Sequence, residues 1–299
     1  MIIPTRNRAD SLRRAIESAL AQTVSVEILV LDDGSTDDTQ RMIARDFPVV
    51  RYERFEENRG PCFLRNHGGR LASTNHLVTL DDDCVLQSRR TVEQTLRLFD
   101  SPRIGAVTIP FIDVGRGNEL RQGPRQGDPD GITYDFCAGM VALRRDAFEG
   151  VGGYRTSLFM HVEEPDLSIR LLSSGFVIRV GDADPIHHFE SPIRDRTRLN
   201  RLGPRNHVLF CWYNVPMPYL MSHAVGTALL ALRHSLRAGY FWTAAVGTLS
   251  GVVACLSEWR QRRPVKSSVY RLSRRLKHRQ PVRLAEIMSD LPPLAKASP

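Results

Sequence analysis

Residues 76–84, HLVTLDDDC, constrain the fold more than any other segment. Three carboxylates, Asp81, Asp82 and Asp83, directly follow an apolar run that includes β-branched residues, which favour extended backbone. Acids this close repel one another unless a cation lies among them. Oxygen ligands at the C-terminal edge of a parallel sheet suit Mg²⁺ or Mn²⁺, and a solvated turn that caps the next helix explains the same residues without a metal. This segment alone leaves both interpretations open.

A second acidic turn follows another apolar strand. Residues 28–31 (ILVL) run directly into Asp32 and Asp33, and a predicted helix at 39–44 comes next. The order strand, acidic turn, helix is typical of a βαβ unit and predicts a parallel sheet. Ligands in open sheets of this kind bind beyond the carboxyl ends of the strands. Both acidic turns are therefore expected to face one crevice.

The remaining segments extend this alternation to about residue 190. Ile2 and Ile3 form only the stub of a first strand, so we expect the natural start to lie a few residues upstream of Met1. Residues 113–131 are rich in Gly, Pro, Arg and Asp and are predicted to be a mobile loop, a lid or acceptor loop. Further strands are predicted at 49–52, 77–80, 104–109, 136–143 and 176–180.

Composition bounds the class of protein. The 299 residues, 42% hydrophobic and 25% charged, are typical of a globular protein with one large α/β domain plus an appendage, or with two domains. Five cysteines without CxxC spacing indicate a reducing compartment and argue against a zinc site. Charged residues near the start interrupt any apolar run, so no signal peptide is predicted and a cytoplasmic location is expected.

The C-terminal third has its own pattern. Residues 208–232 and 240–257 lack charged side chains, and the run 260–283 carries many Lys and Arg and no acid. Prolines and small polar residues dilute the apolar segments, so a helical hairpin at the inner face of the cell membrane is favoured over two spans. The basic run would then meet anionic lipid. The alternative is a soluble helical subdomain with a basic tail. Nucleic-acid binding is not expected, because no aromatic platform interleaves the arginines.

Seven motifs occur in a fixed order along roughly the first 190 residues. They are PTRNR at 4–8, DDGS at 32–35, NRG at 58–60 with LRN at 64–66, LDDD at 80–83, RR to GG at 144–153, EEPDL at 163–167 with Arg170, and His187. Together they resemble the family 2 glycosyltransferases, inverting enzymes of the GT-A fold. Among these, the chain looks most like bacterial enzymes that add sugars such as rhamnose in surface polysaccharide synthesis.

The resemblance implies an α/β architecture of the GT-A nucleotide-diphospho-sugar transferase type. In this fold a Rossmann-like, mixed but mostly parallel sheet is flanked by helices. We expect this domain at 1–200, followed at 201–299 by a C-terminal helical region with the basic tail.

The resemblance also assigns roles at the site. The residues expected to bind the nucleotide are Pro4, Thr5, Arg6, Asn7, Asp33, Arg65, Asp81 and Asp82. Asp83 and Asp81 match the D-x-D pattern that binds Mg²⁺ or Mn²⁺. His187 resembles the histidine that completes the metal shell, with His188 as the second choice.

Glu164 matches the catalytic base, with Glu163 beside it. Two departures from the family pattern occur, since Glu164 replaces the usual Asp and Cys84 replaces an acid that commonly follows Asp83. Acids here are also favoured simply because they lie in the first turn of a helix. The histidine pair likewise fits a surface or packing role.

The predicted reaction explains these residue types. A nucleotide sugar releases a diphosphate whose developing charge a cation neutralises, while one carboxylate deprotonates a hydroxyl of a glycan or lipid-linked acceptor. One base without a covalent nucleophile gives inversion. Two alternatives stand beside this reaction. A nucleotidyltransferase normally begins with a Gly-rich phosphate loop, which PTRNRADS lacks. A non-catalytic nucleotide-sugar or glycan-binding protein would bind the donor without turnover.

Overall fold

The computed structural model describes residues 1–124, 131–189, 196–278 and 282–295. The strands in these ranges are β1 (Ile2–Thr5), β2 (Leu29–Asp32), β3 (Arg51–Arg54), β4 (His76–Leu80), β5 (Cys84–Leu86), β6 (Ile104–Thr108), β7 (Phe111–Asp113), β8 (Leu120–Arg121), β9 (Gly131–Thr133), β10 (Met140–Arg144), β11 (Val177–Arg179), β12 (Ile186–His188) and β13 (Val282–Arg283).

Helices flank these strands and dominate the C-terminal third. They are α1 (Ala9–Leu20), α2 (Thr39–Asp46), α3 (Pro61–Leu71), α4 (Thr91–Leu96), α5 (Arg145–Gly150), α6 (Glu163–Ser173), α7 (Arg196–Asn214), α8 (Met217–Arg237), α9 (Phe241–Ser257), α10 (Ser267–His278) and α11 (Leu284–Ile287). Two short 3₁₀ turns lie at Thr156–Leu158 and Trp259–Gln261.

A mixed sheet forms the centre of the described chain, in the order β13-β9-β11-β6-β10-β4-β1-β2-β3. Strand β10 runs antiparallel to both of its neighbours, and β9 runs antiparallel to β11 and β13. The other seven strands therefore share one direction. The prediction of a mostly parallel sheet flanked by helices is confirmed.

Apolar side chains alternate between the two faces of this sheet. Ile3 and Val30 pack with α1, while Ile2, Leu29 and Leu31 pack with α3 and α6 in a separate core cluster. Because helices cover both faces, the strands are continuously hydrophobic rather than alternating in polarity. This burial on both faces explains the apolar runs from which the strands were predicted.

The strand order brings both acidic turns to one edge. Strand β1 lies between β2 and β4 and is parallel to both, with Thr5 in register with Asp32. The loop after β1, the turn after β2 and the turn after β4 therefore emerge side by side, as predicted. This edge is the crevice in which the site is found.

A second, four-stranded sheet lies beside the acidic turn after β4, in the order β5-β12-β7-β8. Strand β12 is antiparallel to β5 and parallel to β7, so His188 is in register with Cys84 on one side and Asp113 on the other. Part of the predicted loop 113–131 is therefore strand, because β8 pairs with β7. A two-residue strand is too short to leave a periodic pattern. Residues 125–130 of that loop lie outside the described residues.

The C-terminal region contributes to the core. Strand β13 pairs with β9 at the edge of the large sheet. Val269, Leu272 and Leu276 of α10 belong to the same buried cluster as Ile104 and Val107 of β6. Helix α7 begins before residue 200, so the division at 200/201 stays a prediction and falls inside a helix.

The uncharged segments 208–232 and 240–257 cover the end of α7, most of α8 and all of α9. Helices α8 and α9 form a hairpin that packs on α7. Gly247 and Gly251 of α9 allow the close approach, since a Cβ at either position would lie within 3 Å of the carbonyl oxygen of Arg201 or Arg205. Within the described ranges, no helix has both the length and the apolar character needed to cross a bilayer.

Two helical glycines provide a test of the packing. A Cβ on Gly68 in α3 would lie 2.8 Å from Cγ2 of Ile2, whereas one on Gly226 in α8 would meet nothing within 4 Å. Gly68→Ala should lower the free energy of unfolding by about 1–3 kcal/mol through overpacking. Gly226→Ala should raise it by up to about 1 kcal/mol, because alanine favours helix.

Urea denaturation of both variants measures the difference. Equal effects of the two substitutions would show that α3 does not pack against β1 as described.

Candidate functional site

The guanidinium group of Arg8 lies across the turn after β4, although no role for Arg8 was predicted from sequence. Nη1 of Arg8 lies 2.7 Å from Oδ1 of Asp82 and 3.0 Å from Oδ2 of Asp83. Asp82 also accepts a hydrogen bond from Oγ1 of Thr5 (2.8 Å). Burial raises the pKa of Asp82 to about 6, although Arg8 acts in the opposite direction. Arg8 was missed because only the strand order shows that the loop after β1 faces the turn after β4.

His188 is the histidine beside the acidic turn. Its Nε2 lies 3.5 Å from Oδ1 of Asp83, and its Nδ1 lies 2.6 Å from Oδ1 of Asp113. Burial lowers the pKa of His188, but hydrogen bonds with Asp83 and Asp113 outweigh this and raise it to about 9. His187 was the first choice from sequence, and it points to the opposite face of β12 because side chains alternate along a strand.

The groups in this corner fit a divalent cation. One potential ligand atom from each of Asp83, Cys84 and His188 lies within 4.8 Å of the others. A carboxylate and an imidazole suit Mn²⁺, and carboxylate oxygens also suit Mg²⁺. The Asp113 carboxylate holds the second ring nitrogen of His188, as metal-binding histidines usually require. The second-choice histidine thus has the better geometry, while metal binding itself stays a prediction.

Asp81 faces a different group, the buried guanidinium of Arg65 on α3. Nη2 of Arg65 lies 2.6 Å from Oδ1 of Asp81, and Nη1 lies 3.9 Å from Oε1 of Glu163. A Cβ on Gly139 would lie 2.1 Å from Oδ2 of Asp81, so only glycine leaves room for this carboxylate. Arg65 therefore links the acidic turn to the acids of α6.

Glu163 and Glu164 open helix α6, and burial raises the pKa of both carboxyl groups. Burial and then the neighbouring Glu164 raise the pKa of Glu163 to about 8, and its Oε2 is buried without a hydrogen-bond partner in the described chain. Burial also raises the pKa of Glu164, whose Oε1 accepts a hydrogen bond from the Ala138 amide (3.4 Å). A partly exposed carboxyl with a raised pKa is suited to accepting a proton from a substrate.

The predicted nucleotide-binding residues near the ends of β1 and β2 form the other half of the crevice. Asp33 accepts hydrogen bonds from the backbone amides of Arg59 (2.7 Å) and Gly60 (3.0 Å). Each carboxylate oxygen has a second lone pair, so Asp33 keeps acceptor capacity for a base. Asn7 has a positive φ of 54°, and its Oδ1 accepts from the Thr36 amide (2.7 Å). These contacts join the loop after β1 to the turn after β2.

Pro4 and Arg6 lie on either side of the end of β1 and differ in exposure. Pro4 is buried at the end of β1, and Arg6 is exposed to solvent. Arg6 is also close enough to Asp33 to favour its charged form, although burial raises the pKa of that carboxyl overall.

Two more acids near the site were not recognised from sequence. Asp113 lies at the start of the predicted loop, where nothing in the local pattern indicates a partner for a histidine 75 residues away. Burial, followed by the charge of Glu164, raises the pKa of Asp135 to about 8. Its position beside the α6 acids depends on the turn that precedes β10.

The first half of the chain matches the model of a known protein family. The model of Glycosyl transferase family 2 matches residues 1–152, which include both acidic turns and Arg65. The chain belongs to this family of glycosyltransferases. Family membership favours the glycosyltransferase hypothesis over the nucleotidyltransferase and the non-catalytic binding protein.

Curated relatives match over a short segment. Succinoglycan biosynthesis protein ExoU of Rhizobium meliloti is 43% identical over 86 residues, which are 28% of this chain and 25% of that protein. Succinoglycan biosynthesis protein ExoO of the same organism is 40% identical over 98 residues, which are 31% of this chain and 28% of that protein. The chain thus spans about a quarter of the length of these relatives.

Solved structures share the fold at low identity. A mannosyltransferase from Pyrobaculum calidifontis, in complex with GDP-Man and Mn²⁺, has a TM-score of 0.56 and 19% identity, covering 92% of this chain and 82% of that one. GalNAc-T7 with UDP, GalNAc and Mn²⁺ has a TM-score of 0.59 and 16% identity, covering 72% and 48% of the two chains. The fold is that of the GT-A transferases.

The burial of Glu163 predicts a pH-dependent stability. Its pKa is raised from 4.5 to about 8, so the stabilising contribution of its protonated form is present below about pH 4.5 and is lost as the pH rises through about 8. Glu163→Gln keeps this position neutral. The variant should therefore exceed the parent in free energy of unfolding above pH 8, on the order of 1 kcal/mol.

Urea denaturation at acidic and alkaline pH checks this expectation. Glu17→Gln, at an exposed position of α1, is the matched control and should leave the pH profile unchanged. A parent protein whose stability does not fall relative to Glu163→Gln over this range would contradict the assignment.

Proposed function

We propose that the chain is a metal-dependent, inverting glycosyltransferase. It transfers a sugar from a nucleotide-sugar donor to a hydroxyl group of a glycan or lipid-linked acceptor, in the synthesis of cell-surface polysaccharide. One observation carries the proposal. The turn at 81–83 has the Asp83–His188 pair on one side and, through Arg65, the buried acids of α6 on the other.

The donor is placed by the nucleotide half of the crevice. Thr5, Asn7 and Asp33 are proposed to hold the nucleoside, because they shape the joined loops after β1 and β2. Asp83 and His188 would hold Mg²⁺ or Mn²⁺, and a bound cation would neutralise charge that develops on the diphosphate. The mannosyltransferase and GalNAc-T7 structures, which contain Mn²⁺, support this assignment.

The acceptor is activated by Glu164. Its carboxylate takes the proton of the attacking hydroxyl as that oxygen bonds to the anomeric carbon, and the nucleoside diphosphate leaves with the electrons of the broken C–O bond. The burial that raises the pKa of Glu164 makes it a stronger base than a solvated glutamate. A single displacement without a covalent intermediate inverts the anomeric centre.

Two substitutions separate the chemical step from cation binding. Glu164→Gln should lower kcat by about 10²–10⁴-fold while donor binding is retained, because only the proton acceptor is lost. Asp83→Asn should weaken Mn²⁺-dependent donor binding. A panel of nucleotide sugars assayed for nucleoside diphosphate release, with titration calorimetry of Mn²⁺ and the donor, measures both effects.

Glu17→Gln on the exposed side of α1 is the control for both variants and should behave as the parent. Retained activity in Glu164→Gln would remove it from the role of base. Donor binding without turnover by the parent would favour a binding protein instead.

The exposed side of the α8–α9 hairpin is called here the apolar hairpin face, and it is the surface proposed to contact a membrane. Its highly exposed apolar side chains include Met217, Met221, Leu230, Leu236, Trp242, Leu249 and Leu256. Residues 196–278 carry fourteen Lys and Arg residues and a single acid, Glu258. Apolar side chains beside excess positive charge are complementary to an anionic bilayer surface. We propose peripheral binding at the inner face of the cell membrane.

Vesicle sedimentation tests the membrane proposal. The protein should bind phosphatidylglycerol vesicles and not phosphatidylcholine vesicles, with weaker binding at high salt because the charges are screened. Trp242→Ser with Leu249→Ser should reduce binding at least several-fold. Val49→Ser is the matched control, since Val49 is also highly exposed (81%) but lies outside the hairpin.

Failure of the parent to sediment with anionic vesicles would rule out this surface as a lipid-binding face. Equal losses in the hairpin variant and in Val49→Ser would do the same.

A further inference from the structure

The segment before α6 has an unusual backbone. Phe159, His161 and Val162 have φ values of 63°, 67° and 68°, and none of them is glycine. Non-glycine residues in the left-handed region cost roughly 1–2 kcal/mol each. The described residues include six non-glycine positions with positive φ, and half of them lie in this short segment. Glu163 and Glu164 follow immediately, so their orientation depends on a conformation that the segment would not adopt alone.

Asn206 on α7 holds this segment. Its fully buried Nδ2 lies within hydrogen-bond distance of the carbonyl oxygens of Leu158 (2.7 Å), Met160 (2.8 Å) and His161 (2.9 Å). Its Oδ1 accepts from Nη1 of Arg205 (2.8 Å). Every polar atom of this amide is therefore used, and its donors are spent on the strained segment rather than on its own helix.

Helix α7 also contacts α6 beyond the two glutamates. The Nδ2 of Asn214 donates to Oδ1 of Asp166 (2.7 Å), and both side chains are fully buried. Asp166 is further fixed by ion pairs with Arg155 and Arg170. Contacts from one helix thus constrain the chain on both sides of Glu163 and Glu164.

We infer that Asn206 is a positioning residue that sets the orientation of the acids opening α6. Without its amide the carbonyl groups lose their donor, and residues 159–162 can relax towards negative φ. Such a change would rotate the first turn of α6 relative to Arg65 and the acidic turn. The catalytic consequence of this inference rests on the proposed function of Glu164, whereas the structural consequence does not.

A pair of buried amides makes the test specific. Gln22, two residues after α1, donates from Nε2 to the carbonyl oxygens of Ser18 (3.2 Å) and Ser88 (2.9 Å) and accepts from the Val92 amide. Asn206→Ala and Gln22→Ala each remove a buried amide that bonds to backbone. Both should lower the melting temperature, because each leaves unpaired backbone groups.

Only Asn206→Ala should disturb the site. We expect kcat to fall about 10–10²-fold with the donor KM changed less than about twofold, because the nucleotide half of the crevice is untouched and only the base is misplaced. Hydrogen exchange of the amides at 156–166 should become faster in Asn206→Ala than in the parent and stay unchanged in Gln22→Ala. Asn206→Ser, which keeps one donor, replaces Asn206→Ala in every comparison if the alanine variant does not fold.

Equal losses of kcat in the Asn206 and Gln22 variants would overturn the inference. Unchanged exchange at 156–166 in the Asn206 variant would also overturn it. The two proposals can be contradicted independently. A parent protein that turns over no donor contradicts the glycosyltransferase proposal. The hydrogen-exchange comparison decides the role of Asn206 in either case.

Discussion

Five carboxyl groups crowd around two guanidinium groups at the C-terminal edge of the large sheet, and the site depends on this imbalance. Arg8 neutralises part of the charge of Asp82 and Asp83, while Arg65 pairs with Asp81 and approaches Glu163. Burial raises the pKa of Asp82, Glu163 and Glu164 despite these cations. An excess of carboxyl groups over fixed cations is the condition in which a divalent ion is attracted and a glutamate is kept basic.

The C-terminal third contacts the segment that leads into the acids at this edge. Helix α7 touches the strained segment before α6 through Asn206 and the helix itself through Asn214. The same helix is packed against α9 through close contacts at Gly247 and Gly251. The surface proposed to meet the membrane is thus one helix away from the proposed base. A transferase with a lipid-linked acceptor needs such proximity between its bilayer-facing surface and its reacting groups.

Local patterns predicted the elements well and their partners poorly. Apolar runs ending in acids located β2 and β4, because strands covered by helices on both faces are continuously hydrophobic. The short strands β7, β8 and β12 leave no comparable pattern, so Asp113 was placed in a loop. His187 was preferred to His188 on the family resemblance, which does not show the face of β12 on which each ring lies. Arg8 lies within the PTRNR motif, and nothing in the sequence indicates a role for it. The uncharged segments at 208–257 are helices, and no described helix is a membrane span.

The sequence by itself determined the fold class, the two acidic turns, Arg65 and the glutamate pair, because each depends on residues adjacent in the chain or on an ordered set of motifs. Only the tertiary structure decided which histidine faces Asp83, which arginine crosses the acidic turn and which helix holds the acids of α6. The histidine and the arginine are decided by the pairing of β12 with β5 and β7 and of β1 with β4, which joins segments 70 or more residues apart. The helix is decided by the contacts of Asn206 and Asn214 with segments more than 40 residues earlier in the chain. Local sequence carries little information about such long-range pairing.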